Sequence, residues 1–389
     1  MKNILLLNNI AGAGLDRLDP DRYRYGAEIT APEGILVRSA KMHDMTFGKE
    51  LVAIARAGAG VNNIPVERCS AAGIVVFNTP GANANGVKEL TLCALFLAAR
   101  RVVDGVNFAR SLAGAPDVAK QVEAGKSAFG GTELYGKTLG VIGLGAIGGM
   151  VANAALALGM RVIGYDPYLS VDSAWNMNHL VQKAASFDEV FANADYLTLH
   201  TPATKETAGM INAASIAGMK DGVKIVNLAR AELVCAADLA AAMRAGKVGA
   251  YVTDFPTAET VAIPGAVTIP HLGASTAESE EKCAMMAATQ LDDYLTAGNI
   301  RNSVNYPDVS CPPGAGVRVC VLHANIPATL TKITTVFSKQ GVNIENMLNR
   351  SKGENAYTML DVNTGIGADA LAALGAIEGV HRVRVIRFG

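Results

Sequence analysis

The sequence is poor in charged residues and has no long apolar run, and each scarcity excludes a class of protein. Charged residues are 18% of the 389 positions and hydrophobic residues 50%, which is too apolar a composition for a disordered chain. The formal net charge is −1, so no basic field is present to hold nucleic acid or anionic lipid, and any anion must be bound by a local arginine or lysine cluster. No apolar run approaches the roughly 18 residues of a membrane helix, so no membrane partner is expected.

Cysteine is also scarce, and its spacing matches neither a zinc site nor a redox motif. The six cysteines are scattered at positions 69, 93, 235, 283, 311 and 320. Such spacing predicts buried, reduced thiols, no metal site and a cytoplasmic protein. The opening segment, MKNILLLNNI, has only a short apolar run and predicts a first β-strand rather than a signal peptide.

Short apolar runs alternate with helical stretches through the first 275 residues. Near-continuous apolar strands separated by helices are typical of parallel sheets covered on both faces, and ten such strands fit two sheets better than one. The fold class is therefore predicted to be α/β, with two doubly wound, Rossmann-like domains. The predicted strands are Ile4–Leu7, Ile35–Arg38, Val52–Ala55, Ile74–Phe77, Thr138–Ile142, Arg161–Tyr165, Tyr196–Leu199, Lys224–Leu228, Gly249–Thr253 and Val267–Ile269.

Two long helical stretches indicate how these domains are joined. They cover roughly residues 85–109 and 276–297, the second beginning at a predicted capping box from Ser275 to Glu278. Interpreted as crossings, they give a substrate domain of residues 1–90 and 276–306 and a dinucleotide domain of residues 91–275. A cleft is expected between the two domains, and the substrate is expected to bind there.

The remaining residues predict a third, smaller domain. Residues 307–316 are rich in proline and glycine and are interpreted as a linker. Residues 317–389 then show the order strand, helix, strand, strand, helix, strand, which is typical of a ferredoxin-like βαββαβ domain.

The segment VIGLGAIGG at Val141–Gly149 carries the clearest motif. Gly143, Gly145 and Gly148 form a GxGxxG pattern after an apolar strand and at the start of a helix, where backbone can approach a pyrophosphate. Asp166 ends the next strand, where a carboxylate accepts hydrogen bonds from a ribose and repels a 2′-phosphate. The pattern predicts NAD as cofactor in preference to NADP.

Three further residues supply what hydride transfer to or from a 2-oxo or 2-hydroxy acid needs. Arg230 follows a strand at its carboxyl end and can hold a carboxylate through two parallel hydrogen bonds. His271 ends another strand, and histidine is the side chain whose ordinary pKa allows it to exchange a hydroxyl proton near pH 7. A carboxylate beside it would fix its tautomer, and Glu259 in the run DFPTAE is the candidate.

The chain resembles the D-isomer-specific 2-hydroxyacid dehydrogenases, and among them those that oxidise 3-phosphoglycerate. The resemblance is carried by VRSA, RAGAGVNNI, NTPGANA, ELYGKTLGVIGLGAIG, GYDPY, LHTP, NLAR and PHLGAST, over essentially the whole chain. It implies NAD-linked oxidation of 3-phosphoglycerate to 3-phosphohydroxypyruvate, the first step of serine synthesis.

The resemblance also assigns residues to roles. Arg230 would bind the substrate, and His271 would be the acid and base with Glu259 as its partner. If Phe-Pro of DFPTAE is aligned instead, Ala258 takes the glutamate position; the interval from Asp254 to Glu259 favours Glu259. The substrate contacts would be Arg38, Ser39, Arg56 and Asn83. The cofactor contacts would be Ala59, Gly143, Gly145, Ala146, Ile147, Gly148, Asp166, Thr201, Leu228, Ala229, Asp254, Gly273 and Ala274.

The C-terminal domain resembles an ACT domain, a small amino-acid sensor. By resemblance, His323, Asn325 and Asn343 would contact L-serine as an effector. Ala328 stands where the family has glycine, and its methyl group could crowd that site. The alternative is an ACT domain that serves only in oligomerisation. The family also implies a homodimer, formed through an arm near residues 108–132, or a homotetramer.

Two other functions remain open at this stage. One is oxidation of a different 2-hydroxy acid, with glyoxylate, hydroxypyruvate or 2-hydroxyglutarate chemistry. The other is a non-catalytic partner protein that senses NAD, against which the Arg230 and His271 pair and the absence of a basic patch both argue.

Overall fold

The structure, a computed structural model, describes residues 1–314, 316–363 and 365–388. Ala315 of the predicted linker and Thr364 and Gly389 of the predicted C-terminal domain lie outside the described residues. The chain divides into two compact units, one of residues 1–83 and 280 onward and one of residues 84–279. Each unit contains a parallel sheet, so the predicted α/β fold class is confirmed.

The strands form three sheets. The first sheet has the order β2-β1-β3-β4-β5, the second β12-β11-β10-β9-β6-β7-β8 and the third β14-β15-β13-β16. The strands are β1 (Lys2–Leu7), β2 (Tyr23–Gly26), β3 (Gly34–Val37), β4 (Ala53–Arg56), β5 (Val75–Phe77), β6 (Thr138–Ile142), β7 (Arg161–Tyr165), β8 (Gln182–Lys183), β9 (Tyr196–Leu199), β10 (Val223–Asn227), β11 (Val248–Thr253), β12 (Ala266–Thr268), β13 (Val317–Ala324), β14 (Ile344–Lys352), β15 (Asn355–Val362) and β16 (Val380–Arg387).

Helices connect these strands and cover both faces of the second sheet. Val141 and Val226 pack in one apolar cluster, and the residues beside them in sequence, Ile142 and Ile225, pack in another, as expected where successive side chains point to opposite faces. The helices are α1 (Gly12–Leu15), α2 (Val66–Ala71), α3 (Ala84–Ala99), α4 (Val102–Ser111), α5 (Val118–Gly125), α6 (Ala146–Ala157), α7 (Val171–Trp175), α8 (Phe187–Asn193), α9 (Ala213–Ala217), α10 (Ala236–Arg244), α11 (Ala258–Val261), α12 (Ala277–Ala297), α13 (Thr329–Lys339) and α14 (Ala368–Gly375).

The ten predicted strands are all present, with ends shifted by at most two residues, but β2 and β8 were missed. Both strands lie at sheet edges and contain exposed residues, so neither carries the apolar run by which a buried strand is recognised. No helix of the described residues is both long and apolar enough to cross a membrane.

Two helix predictions need correction. The single helix expected over residues 85–109 is two helices, α3 and α4, separated at Arg100 and Arg101, where Arg100 leaves the helix to form an isolated bridge with Gly131. The cap of α12 is Thr276 rather than Ser275, because the Thr276 hydroxyl accepts from the Ser279 N–H at 3.1 Å.

The C-terminal sheet is antiparallel and carries α13 and α14 in the βαββαβ order, compatible with an ACT-like domain. One face packs on these helices through Val319, Val321 and Leu360. The opposite face presents Leu322 and Tyr357 to the apolar cluster that the first sheet forms with α12. This small domain is therefore packed into the first unit.

The segment predicted to be a linker is bound to the fold by a buried arginine. Arg318 on β13 is fully buried and forms two hydrogen bonds with the Asp361 carboxylate, at 2.6 and 2.9 Å. Its guanidinium also donates to the backbone oxygens of Ala297, Cys311 and Pro312. These bonds attach both α12 and residues 311–312 to the C-terminal sheet.

Candidate active site

The glycine-rich turn joins β6 to α6 in a conformation that only glycine accommodates. Gly143 has φ +84°, and a Cβ there would lie 2.5 Å from the His200 carbonyl oxygen. A Cβ at Gly148 would lie 1.9 Å from the Gly143 carbonyl oxygen. Gly145 is the N-cap of α6, which begins with Ala146 and Ile147, so free backbone N–H groups are available to a pyrophosphate.

Asp166 lies at the end of β7, beside this turn. Its two carboxylate oxygens accept from the Leu144 and Tyr168 N–H groups, each at 2.9 Å. The residue also lines a cavity of about 520 Å³ together with Pro167 and Lys183. A hydrogen bond thus joins the acid to the turn, and the role of Asp166 in holding a ribose stays a prediction.

Two candidate catalytic residues, Arg230 and His271, and the candidate cofactor residue Asp254 follow three neighbouring strands of the second sheet. Arg230 follows β10, Asp254 follows β11 and His271 follows β12, and these strands are adjacent in the order β12-β11-β10. Parallel strands end at the same edge of a sheet, where α/β proteins bind ligands. The side chains of Arg230 and His271 are both exposed at this edge.

Asn227 fixes the turn that carries Arg230. This fully buried side chain accepts from the N–H groups of Ala229 and Arg230 and donates to the Arg230 carbonyl oxygen at 2.8 Å. Sequence reasoning did not assign Asn227 a role, although it lies in the NLAR motif. An asparagine at a strand end is the kind of residue that forms such turns.

Asp254 is 1% exposed, and only one of its carboxylate oxygens has a protein partner among the described residues. Oδ2 accepts from the Gly273 N–H at 3.0 Å, two residues beyond His271. Burial raises the pKa of Asp254, against the Gly273 hydrogen bond and the nearby charge of His271, which lower it. A buried oxygen without a hydrogen-bond partner lowers the stability of the fold unless a ligand donates to it. The carboxamide N–H of a nicotinamide ring is a donor of the kind that could do so.

Glu259 lies in the short helix α11, and the structure does not bring it to His271. Its side chain is fully exposed, and hydrogen bonds from its own N–H and from Thr257 lower its pKa. Within the described residues no hydrogen bond or ion pair joins Glu259 to the imidazole. The neighbour of His271 is the Phe255 ring, whose centroid lies 4.4 Å from that of the imidazole.

The residues expected to contact substrate lie in the first unit. Arg38 forms an ion pair with Glu280 on α12. Arg56 donates to the carbonyl oxygens of Arg38, at 3.0 Å, and of Gly60. Ser39 donates its N–H to the Asn8 side chain at 2.9 Å. Asn83 is half-buried. Asn8 and Glu280 were not identified from the sequence, because each acts on a residue far along the chain.

The other expected cofactor residues are divided between the two units. Ala59 is exposed and belongs to the first unit. The others belong to the second unit, where Thr201 follows β9, Leu228 and Ala229 follow β10, and Gly273 and Ala274 follow His271. His200, beside Thr201, is half-buried, and the loss of water around its ring lowers its pKa to about 4, which keeps it neutral at pH 7.

The three expected effector residues lie at or near strand ends of the C-terminal sheet. His323 is 3% exposed, and its ring nitrogens contact the Ala324 carbonyl oxygen and the Thr358 hydroxyl, each at 2.8 Å. Asn325 donates to the Gly353 carbonyl oxygen at 3.2 Å. Asn343 is exposed. An effector could reach Asn325 and Asn343, whereas His323 would have to exchange an existing hydrogen bond.

Comparison with known proteins identifies relatives over most of the chain. Residues 105–273 match the family model of the D-isomer specific 2-hydroxyacid dehydrogenase, NAD binding domain. D-3-phosphoglycerate dehydrogenase of Mycobacterium leprae is 33% identical, over 91% of this chain and 68% of that protein. D-3-phosphoglycerate dehydrogenase 1 of Saccharomyces cerevisiae is 32% identical, over 82% of this chain and 70% of that protein.

Solved structures agree with the sequence comparison. NAD+-bound 3-phosphoglycerate dehydrogenase of Entamoeba histolytica is 26% identical with a TM-score of 0.58, covering 78% of this chain and 98% of that one. A glyoxylate reductase from Paecilomyes thermophila, at 24% identity and a TM-score of 0.64, covers 78% of this chain and 98% of that one, and shows the shared fold.

Proposed function

The chain belongs to the D-isomer-specific 2-hydroxyacid dehydrogenases, and we propose that its substrate is 3-phospho-D-glycerate, oxidised to 3-phosphohydroxypyruvate with NAD. The observation that carries the proposal is the placement of Arg230, Asp254 and His271 at three adjacent strand ends. Relatives named D-3-phosphoglycerate dehydrogenase support the choice of substrate. The product would enter serine synthesis.

In this proposal Arg230 and His271 divide the work on the substrate. The Arg230 guanidinium binds the carboxylate through paired hydrogen bonds and so orients C2. His271 accepts the hydroxyl proton as the C2–O bond becomes a carbonyl, and the C2–H hydrogen departs with its electron pair as hydride. NAD, when bound, is the hydride acceptor. In the reverse direction His271 returns the proton to the alkoxide oxygen.

Features of the second unit support this cofactor. Side chains at Gly143 and Gly148 would collide with neighbouring atoms, the Asp166 carboxylate is bonded to the glycine turn, and Asp254 Oδ1 is buried without a donor among the described residues. We propose that Ala146, Ile147, Thr201, Leu228, Ala229, Gly273 and Ala274 line the same site; the role of Ala59, which lies in the first unit, stays a prediction. The role of Glu259 as a partner of His271 stays a prediction.

The proposal is tested by reduction of NAD with a panel of acids. Purified protein should reduce NAD with 3-phospho-D-glycerate at a higher kcat/KM than with D-glycerate or 2-hydroxyglutarate, and reverse reactions should prefer 3-phosphohydroxypyruvate over hydroxypyruvate and glyoxylate. A preference for an unphosphorylated acid would assign a different 2-hydroxy acid. Absence of turnover with every acid would favour a non-catalytic protein that senses NAD.

Arg38, Arg56, Ser39 and Asn83 are proposed to bind the phosphorylated end of the substrate. Glu280 then competes with the phosphate for Arg38, since the two side chains form an ion pair that is about 40% exposed on each side. We expect Glu280→Gln to lower KM for 3-phosphoglycerate by up to about fivefold, since an exposed ion pair contributes up to about 1 kcal/mol. KM for D-glycerate should change less.

Steady-state kinetics at low salt checks this expectation, with Glu281→Gln as the matched control because Glu281 is the exposed neighbour on the same helix. A KM for 3-phosphoglycerate that is unchanged in Glu280→Gln, or that falls equally in both variants, would contradict the assignment of Arg38 to the phosphate.

The C-terminal domain is proposed to bind L-serine through His323, Asn325 and Asn343. Ala328, the N-cap of α13, has φ +63°, so its backbone adopts the left-handed conformation that favours glycine over a residue with a methyl group. Inhibition of NADH formation by millimolar serine would support the effector site. No inhibition by serine would leave the domain a structural role in the first unit.

Relief of this backbone strain should be measurable apart from serine. We expect Ala328→Gly to raise the free energy of unfolding by about 0.5–1 kcal/mol, because the left-handed penalty of about 1–2 kcal/mol exceeds the entropy that glycine adds to the unfolded chain. Denaturant titration provides the value. Ala376→Gly, at φ −83° in the same domain, is the control and should destabilise. A loss of stability in Ala328→Gly would contradict the strain.

We also propose a homodimer, with the option of a homotetramer. Its support is the exposed apolar surface of α4 and α5, where Val102, Val106 and Val118 are 42–46% exposed, close to the arm expected near residues 108–132. Light scattering would show twice or four times the chain mass, and a monomer would contradict the proposal.

The six free cysteines are consistent with a reducing compartment such as the cytoplasm.

A further inference from the structure

The aromatic ring of Phe255 contacts His271 and Arg230, the two side chains that act on the substrate in the proposed function. Its centroid lies 4.4 Å from that of the His271 imidazole, with the two planes tilted by 44°. The Arg230 guanidinium carbon lies 5.6 Å from the same centroid, within the range of a cation–π contact. Phe255 is half-buried, whereas both of its polar neighbours are exposed.

A buried polar network sets the position of Phe255 relative to Arg230. The Thr253 hydroxyl donates to the Asn227 carbonyl oxygen at 2.8 Å and accepts from the Phe255 N–H at 3.0 Å. Asn227 in turn bonds the backbone of Arg230. Asn227 and Thr253 are both fully buried, so the turns after β10 and β11 are held together by bonds that water does not reach.

The imidazole of His271 has no comparable polar support. Within the described residues neither of its ring nitrogens forms a hydrogen bond, and Glu259 is exposed and bonded to its own turn. Contact with Phe255 is therefore a restraint that the structure shows on the orientation of the ring. Misplacing a reacting group by about 1 Å is enough to reduce a rate roughly hundredfold, so such restraint has consequences for turnover.

We propose that Phe255 is a positioning residue of the hydride-transfer site, whose ring holds the His271 imidazole and the Arg230 guanidinium in a fixed relation. The proposal rests on the proposed function for its chemistry. The π face of the ring attracts cations, so it also stabilises the protonated imidazole that forms when the substrate hydroxyl is oxidised. A carboxylate beside the histidine would likewise stabilise the protonated imidazole.

Charged side chains approach His271 and Phe255 from two turns. Asp254, on the turn after β11, interacts with His271 through its charge, and Arg230 approaches the Phe255 ring from the turn after β10. Neither residue is altered when Phe255 is replaced, so the effect of the ring on the protonation of His271 can be measured separately.

The experiment compares Phe255→Leu and Phe255→Tyr with the unaltered chain. In Phe255→Leu we expect kcat for 3-phosphoglycerate to fall about tenfold, KM to rise severalfold and the His271 imidazole to lose its proton more readily. Phe255→Tyr keeps an aromatic ring at this position, so all three properties should stay close to those of the unaltered chain. Phe47→Leu is the matched control, because Phe47 also carries an arginine, Arg68, over its ring at 4.7 Å but lies in the other unit.

The imidazole pKa is measured by NMR titration of isotopically labelled histidine, with the His271 signal assigned by its loss in His271→Gln. This value does not depend on turnover, so an inactive wild-type chain would refute the proposed function while the pKa still tests Phe255. Unchanged kinetics and an unchanged pKa in Phe255→Leu would overturn the inference. Loss of thermal stability without a pKa change would also overturn it, because it would show a purely structural residue.

Discussion

His271→Gln is expected to reduce kcat for the oxidation of 3-phosphoglycerate about a thousandfold while leaving the affinity for NADH unchanged. Glutamine keeps a polar side chain but cannot take up the hydroxyl proton, and a positioned general base contributes roughly 10²- to 10⁴-fold. The pH dependence of kcat/KM that His271 causes should disappear at the same time. Steady-state kinetics across pH and fluorescence titration with NADH provide both values.

His179→Gln is the control for this loss, since His179 is an exposed histidine in the same unit. It should retain full activity and an unchanged pH profile. If His271→Gln retained more than about a tenth of wild-type kcat, a different group would be the proton acceptor. The assignment of His271 would then be wrong.

Arg230→Gln is expected to reduce kcat/KM roughly a hundred- to thousandfold. Two hydrogen bonds between charged groups contribute about 1.5–3 kcal/mol each, part of which water replaces when the guanidinium is removed. Arg230→Lys keeps the charge but not the paired geometry and should lose roughly tenfold less. The effect should appear in KM as well as in kcat, because the carboxylate is bound before and during hydride transfer.

Arg244→Gln, an exposed arginine at the end of α10, controls for the loss of a positive charge in the same unit. Equal losses in Arg230→Gln and Arg244→Gln would show that only the net charge matters. Equal KM values for Arg230→Gln and the unaltered chain would contradict carboxylate binding by Arg230.

The parts of the site that could be predicted are those set by local sequence. Gly143 and Gly148 are required by backbone geometry alone, and Arg230 and His271 end apolar runs whose strand character is clear. Contacts between these elements could not be predicted in the same way. Phe255 contacts His271 and Arg230 because β11 lies between β12 and β10. The order of strands in a sheet cannot be predicted from any single segment of the sequence.

The burial of arginines in the C-terminal sheet could not be predicted from the sequence, for a different reason. On β13 and β16, Arg318 and Arg384 alternate with apolar residues, a pattern typical of a strand with one face in water. In the structure Arg318 is fully buried and bonded to Asp361, and the Arg384 guanidinium lies 4.3 Å from the Tyr294 ring centroid. Partners far along the chain satisfy these charges, and such partners are invisible in a local pattern.

The most direct test of the account follows the hydrogen at C2 of the substrate. The chain is incubated with NAD and 3-phospho-D-glycerate deuterated at C2, and the reduced cofactor is analysed by mass spectrometry. We predict that the deuterium is found in the reduced nicotinamide and that 3-phosphohydroxypyruvate forms in equal amount. Formation of no reduced cofactor, or of reduced cofactor without deuterium, would contradict hydride transfer at this site.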